Sequence, residues 1–166
     1  MKNFTLDQWI EWQCELHSTN MDFNLERIKE VAKRLNVDKT KLKVFTVAGT
    51  NGKGSTVAFL ESILIENNYK VGSYTSPHLL EFNERIKINK KHASTEEICK
   101  VFELIEEKRK NITLTFFEFS TLAAFKIFSQ KSLAKEPLLS FFAEILIICT
   151  PLILVFKIFI CFCKPQ

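Results

Sequence analysis

The stretch Lys43-Val44-Phe45-Thr46-Val47-Ala48-Gly49-Thr50-Asn51-Gly52-Lys53-Gly54-Ser55-Thr56 holds three of the chain's four glycines. Lys43–Ala48 is a short apolar run rich in β-branched and aromatic residues, which predicts a strand. Val57, Leu60, Ile63 and Leu64 then recur at helical spacing, which predicts a helix running to the Asn67-Asn68 break. Between the two, the glycines let the backbone curl closely enough to turn its N–H groups inward around an anion. The loop also opens a helix, so the positive end of the helix dipole faces the same anion. These residues read as a phosphate-binding loop for a nucleotide, ATP above all. Gly49, Thr50, Asn51, Gly52, Lys53, Gly54, Ser55 and Thr56 are its candidate contacts. Lys53 neutralises the β- and γ-phosphates, and a hydroxyl from Ser55 or Thr56 helps to hold Mg²⁺, a hard cation that prefers oxygen. The strict pattern G-x-x-x-x-G-K-[ST] is not met, because Val47 stands at its first glycine and Gly54 follows the lysine. The plain alternative is a tight corner, which needs no lysine flanked by two glycines ahead of a hydroxyl pair.

Beyond the helix, Val71–Thr75 reads as a second strand. The resulting strand–loop–helix–strand unit has a crossover long enough for a parallel sheet, so the expected class is α/β, a Rossmann-like parallel sheet flanked by helices. Upstream, Thr5 and Gln8 form a capping box ahead of Leu6, Trp9, Trp12 and Leu16, a helix ending near His17. A second helix carries Leu25, Ile28, Val31, Ala32 and Leu35, with Asp22 or Asn24 as cap, and stops near Asn36. Downstream, a Ser76-Pro77-His78 loop leads to Arg85–Ile88, whose alternation fits a short exposed strand. Ser94 and Glu97 form another capping box before Ile98, Val101, Phe102 and Ile105, a helix ending near Lys110. A last helix is expected from about Phe117 to Ser129.

With 166 residues, 46% hydrophobic and 25% charged, the chain has the composition of one globular domain. Its net charge of +4 is spread without a run of five like charges, which gives no reason to expect nucleic-acid binding. The N-terminus is not a secretory signal, so a cytoplasmic location is expected. The five cysteines lack zinc or disulfide spacing and read as reduced thiols. His17 and His78 show no evident partner and are assigned no catalytic part.

Composition changes near Leu133. The tail after it is nearly without polar residues between Ile145 and Cys163 and is expected to be helical and apolar. Three readings stand: a poor membrane helix interrupted by Pro151 and Lys157, foreign or out-of-frame sequence joined to a truncated domain, or ordinary buried core. The expected division is therefore 1–133 as one domain and 134–166 as a tail outside its fold.

The segments VFTVAGTNGKGS, YTSPHLLEFNERI and LTFFEFSTLAAF, with HSTNMDFNLERI upstream, resemble the N-terminal part of folylpolyglutamate synthase, often bifunctional with dihydrofolate synthase. The resemblance runs from about Phe4 to Leu133. Mur ligases share the loop type, but the Thr-Ser-Pro-His and Phe-Phe-Glu segments favour the folate enzyme. The resemblance implies a ligase that phosphorylates a folate or dihydropteroate carboxylate with ATP and Mg²⁺ and passes the acyl group to glutamate, as a monomer. It also implies that Thr50, Asn51, Gly52 and Lys53 contact ATP, with Lys53 in the catalytic role, and that Ser76 is a Mg²⁺ ligand. The resemblance further implies that Asn20, Met21, Asp22 and Phe23, with Thr115, Phe116, Phe117 and Glu118, line the pterin or folate site. Each has a plainer reading: Asp22 as a helix cap, Phe116 and Phe117 as core, Glu118 as a solvated first-turn acid.

The family continues with a Glu-Val-Gly-Leu-Gly-Gly type strand whose glutamate binds Mg²⁺, and no glycine follows position 72 here. The leading expectation is thus an N-terminal fragment of such a ligase, inactive by itself. The alternative is a non-catalytic P-loop module anchored to a membrane by its tail.

Overall fold

A computed structural model describes residues 2–18, 24–37, 43–131, 147–149 and 158–163. In chain order the elements are α1 (Leu6–Glu15), α2 (Glu26–Arg34), β1 (Lys43–Gly49), α3 (Lys53–Glu66), β2 (Lys70–Tyr74), β3 (Ile86–Ile88), β4 (Lys91–His92), α4 (Thr95–Arg109), α5 (Phe116–Gln130), β5 (Ile147–Cys149) and β6 (Ile158–Cys163). They sort into a helical unit, Met1–Asp38 with Ser94–Ser129, and a sheet unit, Lys39–Ala93 with Gln130–Gln166.

In the helical unit, α1 starts where its capping box predicts: Gln8 N–H donates to Thr5 Oγ1 at 3.3 Å, and Thr5 N–H to Gln8 Oε1 at 2.9 Å. Trp9 on α1 is fully buried and meets Phe102 of α4 and Phe119 of α5 at centroid distances of 5.9 and 6.4 Å. Phe102 and Phe119 meet edge to face at 5.4 Å, the geometry that opposes ring edge to ring face. Asn24, one of the two candidate caps of α2, accepts from Glu26 N–H at 2.9 Å. Helices α1 and α2 both pack on α4, which Ser94 caps through Glu97 N–H. Helix α5 is apolar nearly all round and correspondingly buried from Glu118 to Phe125.

The sheet unit has the strand order β4-β3-β2-β6-β1-β5. The expected parallel sheet is corrected to a mixed one. Strands β1 and β5 are parallel, β6 is antiparallel to both β1 and β2, and β2, β3 and β4 are successively antiparallel. The β1–α3–β2 crossover still runs β1 and β2 in one direction. From β2 the chain returns through a connection with no α-helix, too little to cross over the sheet, so β3 must run back. Ile86, expected on an exposed strand, is instead fully buried.

The helical tail is also corrected. Where residues after Leu133 are described they are strand, at 147–149 and 158–163, in keeping with the β-branched and aromatic residues of Ile158–Cys163. Residues 132–146 and 150–157 lie outside the described residues. No helix among the described residues is long and apolar enough to cross a membrane.

Helix α3 packs on β1 and β2 through Val57, which joins Val47 and Val71 in a small core lined by Phe45, Leu60, Leu64, Ile65 and Tyr69. Each buried valine contributes roughly 1.5–3 kcal/mol. Ile63, expected on the buried face, is 58% exposed, and Glu61 takes a buried place at 6%. Its carboxylate is satisfied there, accepting from Ser73 Oγ at 3.3 Å and Lys90 N–H at 3.1 Å.

Candidate nucleotide-binding site

Gly49 ends β1, Thr50–Gly52 form the loop, and Lys53–Thr56 make the first turn of α3. Gly52 is the N-cap and lies in the left-handed region at φ 74°, which glycine adopts at no steric cost. The first intrahelical bond runs from Thr56 N–H to Gly52 O at 2.9 Å. The amides of Lys53, Gly54 and Ser55 therefore precede the helical ladder and face the end of the helix without an acceptor within it. Thr50, Asn51, Gly52, Gly54 and Ser55 are all exposed, so the nest opens to solvent.

Two side chains are committed inside this loop. The Lys53 ammonium turns back to donate to Gly49 O and, at 3.0 Å, to Thr50 O. Thr56 Oγ1 donates to Gly52 O at 3.0 Å, as helical threonines do, which favours Ser55 as the hydroxyl offered outward.

Ser76 lies on the loop after β2. It is 7% exposed and its Oγ has no hydrogen-bond partner, an orphaned buried oxygen of the kind that suits a hard cation. Among the described residues no three His, Cys, Asp or Glu side chains gather in metal-binding array. The loop is fixed further along by Glu84, which accepts from the amides of Leu79 at 2.9 Å, Leu80 at 2.8 Å and Glu81 at 2.9 Å. These bonds, that of Leu79 foremost, hold the Glu84 carboxyl down at about 2. His78, which showed no partner in the sequence, accepts at Nδ1 from Arg85 Nε at 2.7 Å. Burial, and then the Arg85 charge, lower its pKa. His17 likewise gains a partner, Thr113 Oγ1 at 2.8 Å.

In the helical unit, Thr115 and Glu118 form a capping box at the start of α5: Thr115 N–H donates to Glu118 Oε2 at 2.8 Å, and Glu118 N–H to Thr115 Oγ1 at 3.2 Å. Glu118 is 5% exposed, so it is not the solvated acid of the plainer reading. Arg27 Nη2 donates to both of its oxygens, each at 3.3 Å. Sequence reasoning missed Arg27, since no spacing rule links residues 91 positions apart. Phe116 and Phe117 are half-buried. Asn20, Met21, Asp22 and Phe23 lie outside the described residues.

A strand that turns through a left-handed glycine into a helix, with a lysine in its first turn, is a strand–loop–helix unit of the P-loop kind. No protein-family model matches the chain. Dihydrofolate synthase/folylpolyglutamate synthase of Buchnera aphidicola (subspecies Acyrthosiphon pisum) is 44% identical over 132 residues, 80% of this chain and 32% of the relative. That of Escherichia coli K12 is 45% identical over 128 residues, 77% of this chain and 30% of the relative. Among solved structures, the E. coli protein in complex with DHPP and ADP superposes at a TM-score of 0.74, with 43% identity over 78% of this chain and 31% of that one. The Yersinia pestis bifunctional folylpolyglutamate synthase/dihydrofolate synthase complexed with AMPPNP and Mn gives 0.73, with 45% identity over 78% and 32%. Over some four fifths of its length the chain is thus a homologue of the dihydrofolate synthase/folylpolyglutamate synthases, and it spans about a third of the length of the curated relatives it matches.

Proposed function

We propose that the loop Gly49–Thr56 binds ATP, and that the chain serves an ATP-dependent ligase joining glutamate to dihydropteroate or a folate. The observation that carries this is the Gly52 cap with Lys53 beside it. Amides and one ammonium converge where a triphosphate would lie, and relatives over 40% identical are solved with ADP and AMPPNP.

A carboxylate has no leaving group that an amine displaces, and its phosphorylation by ATP supplies one. The part of the protein is then to position and neutralise the transferred phosphoryl group. The amides of Lys53, Gly54 and Ser55 receive the phosphate oxygens, and Lys53 exchanges its carbonyl partners for the β- and γ-phosphates. The Ser76 Oγ, with Ser55, would hold Mg²⁺, which supplies further charge neutralisation. Thr115–Glu118, with Asn20–Phe23, receive the pterin end of the second substrate. Each of these assignments rests on the likeness to the relatives together with the residues named. The reading carries with it a cytoplasmic, monomeric protein acting on small molecules.

The test is titration of the full chain with a fluorescent ATP analogue and Mg²⁺, and separately with dihydropteroate. Saturable binding of both is expected. Absence of a saturable nucleotide signal from folded protein would overturn the reading. Phosphate release with ATP, dihydropteroate and glutamate is expected to stay at background, because Ser76 has no acidic cluster beside it among the described residues.

A further inference from the structure

We propose that Arg27 is a positioning residue, which holds the Thr115–Glu118 turn in the one shape able to receive a flat, N–H-bearing heteroaromatic acid such as dihydropteroate. This rests on the function proposed above, in which that turn belongs to the pterin site. The capping of α5 does not require Arg27. Thr115 and Glu118 already satisfy one another's amides, at 2.8 and 3.2 Å. A cation here even opposes the positive end of the α5 dipole. The pair is also poorly hydrated, with 21% of the Arg27 side chain and 7% of the Glu118 side chain exposed. Ion pairs so buried contribute little net stability over apolar replacements.

What the contact does fix is geometry. One nitrogen, Arg27 Nη2, stands 3.3 Å from both carboxylate oxygens, so it lies between them. Thr115 N–H occupies Oε2 from the other direction. Together they hold the Glu118 carboxylate from two sides and keep a lone pair on Oε1 for a further donor. Phe116 and Phe117, both half-buried, lie in sequence between these two anchored residues, so the turn sets where their backbone starts. Arg27 lies in the first turn of α2, four residues past Phe23, so one side chain joins the second helix to the α5 turn.

The test compares Arg27→Ala, Arg27→Lys and the wild-type chain in three measurements: dihydropteroate affinity, ATP-analogue affinity, and hydrogen exchange at the Thr115 amide. Arg27→Ala is expected to lose dihydropteroate affinity by about ten- to a hundredfold, the worth of one hydrogen bond to a charged group that is no longer presented to the ligand. Its Thr115 amide exchanges faster, and its ATP-analogue affinity stays within about twofold. Arg27→Lys recovers most of the affinity, since a single nitrogen makes the contact and an ammonium reproduces it. Wild-type Thr115 protection in Arg27→Ala overturns the proposal, as does unchanged dihydropteroate affinity, or equal loss of both ligands in Arg27→Ala and Arg27→Lys. If the wild-type chain binds nucleotide but no dihydropteroate, the pterin reading of the turn falls. Thr115 exchange in the variants then still decides whether Arg27 sets the turn.

Discussion

The Lys53 ammonium donates to the carbonyl oxygen of Thr50, 3.0 Å away, three residues back in its own loop. With the Gly49 carbonyl as second partner, the cation rests inside the nest it is expected to offer to phosphate. Binding then trades two neutral acceptors for charged ones, which form the stronger bonds.

Lys53→Ala removes that charge while leaving the glycine-turned backbone in place. Affinity for an ATP analogue should fall by about ten- to a hundredfold, the worth of one or more charge-assisted hydrogen bonds. Isothermal titration measures it, and an unchanged constant would show that the lysine serves the loop rather than the ligand.

Gly52 and Gly54 should separate under the same substitution. At Gly52 an alanine meets no heavy atom within 4 Å, but φ 74° penalises it, by about 1–2 kcal/mol. Gly54 is helical with open space around its Cβ, so Gly54→Ala is expected to raise stability by roughly 0.5–1 kcal/mol. The methyl group would nonetheless obstruct a phosphate approaching the amides. Gly54→Ala should therefore melt later and bind nucleotide more weakly, whereas Gly52→Ala should lose on both counts. Thermal melts with and without nucleotide distinguish the two.

Glu84 makes the 76–85 loop sensitive to acid. Its folded pKa of about 2 lies below the ordinary 4.5, so its contribution is complete above pH 4.5 and is lost as pH falls toward 2. The Leu79, Leu80 and Glu81 amides should lose exchange protection together across that window. Glu84→Gln should show the loss already at neutral pH.

His78 adds a second step at higher pH. Its pKa is lowered from 6.5 by burial and by Arg85, so its share of loop stability is intact above pH 6.5 and drains away as pH falls through the folded value. Proton resonances of the His78 ring should titrate below 6.5, and His78→Ala should abolish the step. A midpoint at or above 6.5 would mean that the bond from Arg85 Nε is not kept in solution.

The helices and the loop were legible in the sequence because their signals are local. Thr5 with Gln8 and Ser94 with Glu97 announce helix starts within four residues, and Gly49–Lys53 announces its own turn. The sheet was not legible, because β6 pairs Lys43 with Phe162 and Lys70 with Cys163, partners roughly a hundred residues apart whose register no local pattern encodes. Helical spacing chose Ile63 over Glu61 for burial, since hydropathy alone does not register that Ser73 and Lys90 would receive a carboxylate. The same blindness hid Arg27, whose meaning depends on Glu118 being out of solvent.

Glu61 sits eight residues along α3 from Lys53, about 12 Å up the helix axis at 1.5 Å per residue. It is grasped by Ser73 in the middle of the sheet and by the backbone of Lys90 at the tip of the β3–β4 ribbon. The rod whose lower end carries the glycine-turned loop is thus clamped partway up to two other parts of its unit. A slide of α3 along its axis would drag that ribbon with it or tear both bonds, so the loop at its foot stands on a stiff lever rather than a loose spring.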